Sequence, residues 1–391
     1  MIMDTKNAVF IAGIGQTPVG EHWQTSLRSL AVKAMRAALA DSGGLKPAAL
    51  FVGNVLAASL SRQANLGTLL ADYAGLSGIE AESLEAGGAS GGLALRQAYL
   101  AIASGFVDIA LVVGVEKFTD EVGPGVEAAL AEALDADFEA VHGLTHAAQA
   151  ALLARRYQHQ FGMPEGGLAG FSLTAHANAQ ANANAIYRKA ISLEAYRQAE
   201  TVCDPLNRFD LAPCADGAAA VVLARLDRLG RDAPRPLVRL AGSAAASDEL
   251  NLAARPDPLV LNAVQASTEQ ALGRAAVRRE QVDLFELHDS ASIFAALSLE
   301  AAGFAQPGRA WELAQDGSIA LGGQIPCMTM GGSKARGDAG GATGVYQAVE
   351  AVQQLRGTAG KNQIAGAKVA LIQSLGGPAA MAVTHVLIGE E

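Results

Sequence analysis

A glycine-rich pentapeptide occurs twice, as GGASG at residues 87–91 and as GGATG at residues 340–344. Each copy opens a helix-length segment that runs into an apolar, strand-like one. LALRQAYLAIASG and DIALVVGVE (108–116) follow the first, and VYQAVEAVQQLRG and KVALIQSLGG (368–377) follow the second. A turn–helix–strand unit repeated at this distance implies two related halves, each with a glycine-rich helix N-terminus. With 391 residues the chain is long enough for two core-forming units, at ~150 residues per domain.

The surrounding segments repeat in the same order. NAVFIAGIGQT (7–17) reads as a buried strand ending in a glycine turn, LRSLAVKAMRAALADSG (27–43) as a helix and ALFVGNVLA (49–57) as a strand. Strands alternating with helices call for a mostly parallel α/β sheet. The 43 glycines and 5% aromatics favour close helix–sheet packing over an aromatic-rich sandwich. Residues 121–205 break the pattern: they look helical, then become Asn-rich and short on core residues, as in an inserted cap. GAAAVVLARLD (217–227) returns to strand character, and RDAPRPLVRLAG (231–242) marks entry to the second half. The expected organisation is a first half over 1–120 and 206–230, an insert over 121–205 and a second half over 231–391.

The net charge of −10 argues against a nucleic-acid binder, which needs a basic face, though not against one local basic pocket. Cys203, Cys214 and Cys327 show neither zinc-ligand nor disulfide spacing, so no metal site is expected and a reduced, intracellular setting fits best. The N-terminal apolar run is too short for a signal peptide, and nothing approaches the ~20 apolar residues of a membrane span. A soluble, cytoplasmic protein is expected.

Five ordered motifs carry a family resemblance: DIALVVGVEK (108–117), NANAIYRKAI (182–191), CDPLNRFDLAPCADGAAAVVL (203–223), ELHDS (286–290) and GGSKARGDAGGATG (331–344). Over essentially its whole length the chain resembles the thiolase superfamily, above all the sterol-carrier-protein-type and archaeal thiolases. The resemblance implies an α/β thiolase fold of two duplicated halves in a five-layered αβαβα arrangement, with an inserted loop domain over the substrate. It also implies coenzyme A thioester substrates, no redox cofactor, and a homodimer or a dimer of dimers.

The departures from the family pattern bear on chemistry. Gly88 stands where a thiolase has its nucleophilic cysteine, and Gly337-Asp338-Ala339 stands where the activating histidine lies. Ser374 and Ser290 occupy the two positions at which thiolases place the second, acid/base cysteine; His288 is retained. Glycine cannot carry an acyl group, so thiolysis and Claisen condensation through an acyl-enzyme are excluded at position 88. Gly87, Gly88 and Ala89 in the first loop, with Gly376 in the C-terminal loop, keep a helix N-terminus able to stabilise an enolate. The resemblance places His288 at the thioester oxygen and Asp338 where a base acts; a carboxyl in an apolar pocket is a stronger base than in water. Asp338 is alternatively a turn-favouring residue in a glycine-rich loop. Tyr346 is a further proton-transfer candidate, against the ordinary alternative of a core tyrosine. Arg188 and Lys189 are candidates for the CoA phosphates, with Arg155 and Arg156 weaker ones. Cys327 is the cysteine expected nearest the pocket, although a small buried thiol is the usual reading.

Three functions compete. The first is an aldolase-type lyase acting on a β-hydroxyacyl-CoA, as steroid side-chain aldolases of this superfamily do without the thiolase cysteine, together with an OB-fold, zinc-ribbon partner. The second is a non-catalytic scaffold subunit in an acyl-CoA complex. The third is an acetyl-CoA acetyltransferase with an unrecognised nucleophile.

Overall fold

The computed structural model describes residues 8–230 and 233–390; the expected leaderless N-terminus (1–7) and the half boundary at 231 lie outside them. The strands are β1 (Val9–Gln16), β2 (Ala49–Gly53), β3 (Glu80–Leu84), β4 (Ile109–Glu116), β5 (Thr201–Cys203), β6 (Leu206–Asn207), β7 (Gly217–Arg225), β8 (Leu237–Ser247), β9 (Leu284–Glu286), β10 (Val369–Gly376) and β11 (Met381–Glu390). The helices are α1 (Leu27–Asp41), α2 (Leu66–Tyr73), α3 (Ser90–Ala103), α4 (Pro124–Leu130), α5 (His146–Phe161), α6 (Ala169–Ala179), α7 (Leu193–Arg197), α8 (Asn262–Ala275), α9 (Ser292–Ala301), α10 (Ala310–Gln315) and α11 (Thr343–Leu355).

The main sheet runs β3-β2-β4-β7-β1-β8-β11-β10-β9, symmetric about the β1–β8 junction. In the second half the counterpart of β3 shrinks to a single bridge between Phe285 and Cys327. The expected mostly parallel sheet is corrected to a mixed one: among the described strands only the β2–β3, β2–β4 and β9–β10 pairings are parallel. β7 returns from the insert to lie between β4 and β1, antiparallel to both, and β11 folds back along β10 and β8.

Strand alternation separates the helical layers. Leu50, Val52, Leu111, Val113 and Val222 face α1 and α2, whereas Phe51, Ala110, Val112, Val221 and Leu223 face a central layer containing α3 and α11. The other half packs against α8, α9 and the insert. This gives five layers of helix and sheet. The repeated glycines have a structural cause here, because the starts of α3 and α11 meet in the middle. A Cβ on Gly91 would lie 2.6 Å from the Gly341 carbonyl oxygen. α11 is buried almost all round, not amphipathic at a surface, and several of its polar residues find partners within the protein. Gln347 donates to the carbonyls of Leu287 and Gln373, and Glu350 pairs with Arg336 at 2.8 Å.

The Asn-rich segment of the insert is partly interior: Asn178 and Asn182 are buried, although Gln180, Ala181 and Ala183 are exposed. Asn178 donates to the carbonyls of Cys327 and Met328, and Asn182 to that of Met330. These bonds clamp the insert to the loop that follows the second half's third-strand position. Among the described residues no helix is long and apolar enough to cross a membrane.

Against the start of α3, Nε2 of the buried His385 lies 3.1 Å from the Gly92 carbonyl oxygen, and its Nδ1 has no partner. Burial pushes its pKa down to about 3. The unfolded chain, with an imidazole near ~6.5, binds the extra proton first, so this contribution to stability is complete above that value and lost as pH falls. Between pH 7.5 and pH 5 it should cost the wild type roughly 2 kcal/mol. In urea unfolding at those two pH values, His385→Asn should lose about that much less; an equal loss would show that folding does not depress the His385 pKa.

Candidate active site

The carboxyl ends of the parallel strands β2, β4, β9 and β10 converge, which is where α/β sheets bind ligands. Residues at and just beyond these ends, Val55, Leu56, Phe118, His288, Ser290, Leu375 and Gly377, line one cavity of ≈ 80 Å³. Gly87 and Gly88 from the first glycine loop, Gly340 from the second and Asp338 just ahead of it complete its floor. The insert roofs it with Leu130, Ala133, Leu134 and His146, and Cys214 enters from the segment before β7. Both halves and the insert therefore contribute to one site.

Gly88 is packed where any side chain would begin. A Cβ there would lie 2.7 Å from the Leu375 carbonyl oxygen and 2.9 Å from Cε1 of His288. The imidazole thus abuts the position a nucleophile's side chain would need. Gly87 has φ +55°, and its Cβ would fall 3.0 Å from the Gly377 nitrogen, so the loops of the two halves meet backbone to backbone.

His288 is buried, and its Nδ1 makes no hydrogen bond within the protein. Burial holds its pKa below the usual histidine range, with the nearby Arg336 acting the same way, against the opposing pull of Asp338 and Asp289. The ring is therefore neutral at physiological pH, with one N–H to donate. His146 stacks on Phe294 at 5.5 Å and places Nε2 3.2 Å from the Ser290 Oγ. Burial also lowers its pKa.

Asp338 uses one oxygen locally. Its Oδ1 accepts from the Gly340 N–H at 3.0 Å and from the Thr343 Oγ1 at 2.8 Å, which fixes the turn into α11. Among the described residues no hydrogen bond reaches its Oδ2, and the residue lines the cavity. The turn role and an exposed carboxylate oxygen coexist. Asp289 instead holds the backbone of the loop, accepting from the N–H groups of Ser333 at 2.6 Å and Lys334 at 3.2 Å.

Glu116, at the end of β4, accepts from the N–H groups of Val55, Leu56 and Gly341 and from the Asn54 side chain. It ties the first half's loop to the second glycine loop. Burial pushes its carboxyl up to about 7 despite these bonds. Asp216 does the equivalent work beside Cys214, accepting from Phe118 at 2.7 Å, Thr119 at 3.0 Å and His22 at 2.9 Å.

The structure thus brings Gly87, Gly88, His288, Ser290 and Asp338 together in one cavity. Tyr346 does not reach it. The tyrosine is buried in the centre of the molecule, its hydroxyl donates to the Thr17 carbonyl at 2.9 Å, and Arg336 lies over its ring at 5.1 Å. Ala89 and Ser374 are buried beside the cavity, while Gly376 lines an adjoining cleft. Arg188 and Lys189 are exposed at the rim of a second cavity of ≈ 710 Å³, walled by His176, Tyr187 and Phe209. That cavity backs onto the loop that leads to Asp338, because the N–H groups of Ile186 and Tyr187 donate to the carbonyls of Arg336 and Ala335. Cys327 is not the cysteine of the site: it is fully buried and its Sγ donates to the Ile325 carbonyl. Cys214 is the cysteine that lines the cavity, and with His146 it is the functional candidate that motif reading passes over.

The thiolase N-terminal domain profile matches residues 9–227 and the thiolase C-terminal domain-like profile matches residues 244–389. The chain belongs to the thiolase family. It is 38% identical to an acetyl-CoA acetyltransferase of Methanothermobacter thermautotrophicus, over 97% of this chain and 98% of that protein. It is 29% identical to the 17-hydroxy-3-oxo-4-pregnene-20-carboxyl-CoA lyase of Mycobacterium tuberculosis, over 93% of this chain and 95% of that one. Among solved structures the Ltp2-ChsH2(DUF35) aldolase shares the fold with a TM-score of 0.84 at 24% identity, covering 99% of both chains. Relatives of this thiolase-family chain thus carry the names of both acyltransferases and lyases, and the family alone does not choose between them.

Proposed function

We propose that this thiolase-family chain is a carbon–carbon lyase of the aldolase type, acting on a β-hydroxyacyl-CoA without a thiolase nucleophile. The observation that carries the reading is the packing at Gly88. No side chain fits there beside His288 and the Leu375 carbonyl, yet His288 and Asp338 still face one cavity. An aldol cleavage needs a base and enolate stabilisation but no acyl-enzyme.

In the proposed reaction the free oxygen of Asp338 takes the β-hydroxyl proton. The Cα–Cβ bond breaks as the β-carbon becomes a carbonyl, and its electron pair moves into the thioester as an enolate. The neutral His288 donates an N–H to the enolate oxygen, and the positive end of α3 adds a fixed dipole. A proton returned to Cα completes the acyl-CoA product. Run backwards, the same groups add an acyl-CoA enolate to a carbonyl. Ser290, bonded to His146, is proposed to shape the cavity roof, and Arg188 and Lys189 to meet the CoA phosphates. A small OB-fold, zinc-ribbon partner, which the resemblance to steroid side-chain aldolases implies, is proposed as well; the Ltp2-ChsH2(DUF35) aldolase carries a two-component name.

Acyl transfer through Cys214 is the second reading, favoured by that residue's place in the cavity and by the name of the 38%-identical relative. It is weakened by the state of the thiol, which burial and the nearby Asp338, Glu127 and Glu116 push far up from its ordinary value. A scaffold without turnover is the third. Thermal unfolding with CoA, a short acyl-CoA and a bulky β-hydroxyacyl-CoA tests all three for a working pocket. Ligand at about 100 times its Kd should add about 2.7 kcal/mol, a shift of several degrees. No shift with any of them would leave the scaffold reading in front.

A further inference from the structure

Resting on the lyase reading, we infer that Cys214 is the proton donor to Cα of the product enolate, so that Asp338 and Cys214 form a relay. The step that the reaction leaves unassigned is the protonation of carbon, which needs an acid beside the cleaved bond. Cys214 opens onto the same cavity as His288 and Asp338. Its backbone is bridged to that of Asp338: the N–H of Ala215 donates to the Asp338 carbonyl at 2.9 Å, and the N–H of Asp338 to the Pro213 carbonyl at 2.9 Å. The two side chains are thereby carried on adjacent strands of chain, one supplying a carboxylate and the other a thiol. The same cavity is lined by the buried His288, whose Nδ1 makes no hydrogen bond within the protein.

The chemistry suits a thiol that stays protonated. Cys214 is an exposed residue that lines the cavity, and desolvation there, with the charges of Asp338, Glu127 and Glu116, disfavours its thiolate. Such a sulfur is a poor nucleophile and a competent acid toward a carbanion. The protons balance. Asp338 gains one from the β-hydroxyl, Cys214 gives its S–H proton to Cα, and the thiolate is reprotonated from Asp338, returning both groups to their starting states. No oxidant or other co-reactant is required. In the addition direction the same thiolate, formed transiently, removes the Cα proton.

The relay is tested by exchange of the Cα protons of a saturated acyl-CoA in deuterium oxide, followed by NMR, alongside cleavage of a β-hydroxyacyl-CoA. The wild type should exchange. Cys214→Ala and Cys214→Ser should lose exchange and cleavage by about 10²-fold or more, with KM and the acyl-CoA-induced rise in Tm preserved. The serine variant separates acidity from shape, since a hydroxyl fills the space but is a far weaker acid. Exchange and cleavage in both variants within twofold of wild type would overturn the relay and leave the lyase reading standing. A wild type that binds acyl-CoA yet neither exchanges nor cleaves would sink the lyase reading and the relay with it.

Discussion

Gly88→Ala should disable the site while leaving the fold assembled. Its Cβ would meet the Leu375 carbonyl oxygen at 2.7 Å and Cε1 of His288 at 2.9 Å, and only the imidazole has any freedom to move. Overpacking of this kind costs ~1–3 kcal/mol, so Tm should fall without loss of cooperative unfolding. The larger effect is on turnover. Displacing a group that must meet the thioester oxygen by about 1 Å costs on the order of 10²-fold. Gly88→Cys should behave the same way and should not gain thiolysis, because its thiol would share the space of His288. Wild-type stability and turnover in Gly88→Ala would show that the loop is not packed as described.

Asp338→Asn should lower kcat by about 10²–10⁴-fold with little change in KM. The substitution preserves what Asp338 does for the fold. An amide oxygen still accepts from Gly340 and Thr343, so the turn into α11 remains. Only the capacity to take a proton at the other oxygen is lost. Steady-state kinetics on a β-hydroxyacyl-CoA measure the split, and unchanged turnover would remove Asp338 from the reaction and reduce it to a turn residue.

Much of the layered fold was legible because its signals are local. The glycine pentapeptides, the helix of 27–43 and the apolar runs at 108–116 and 368–377 correspond to α1, α3, α11, β4 and β10. Strand direction was not local. β7 follows a long insert, and the sequence does not say that it will lie between β4 and β1, antiparallel to both. That one fact also hid Cys214. Gly217 at the start of β7 pairs with Glu116 at the end of β4, so the residues just before β7 must lie at the site. His146 escaped notice because the insert carries it over the cavity from far along the chain. Tyr346 misled for the opposite reason. Nearness to GGATG in sequence gives no direction, and on a helix buried all round this side chain points to Thr17. Motif order named His288, Gly88 and Asp338 as candidates, and the strand ends bring all three to the lining of one cavity.

The most direct test of the central claim is intact-mass spectrometry of the wild-type protein, run with product analysis. One sample is given a 3-ketoacyl-CoA with free CoA, and the other a β-hydroxyacyl-CoA. The account predicts no acyl adduct and no thiolysis in the first, and release of a carbonyl compound with acyl-CoA in the second. An acyl adduct that forms and turns over, on Cys214 or any other residue, would contradict it and restore an acyltransferase.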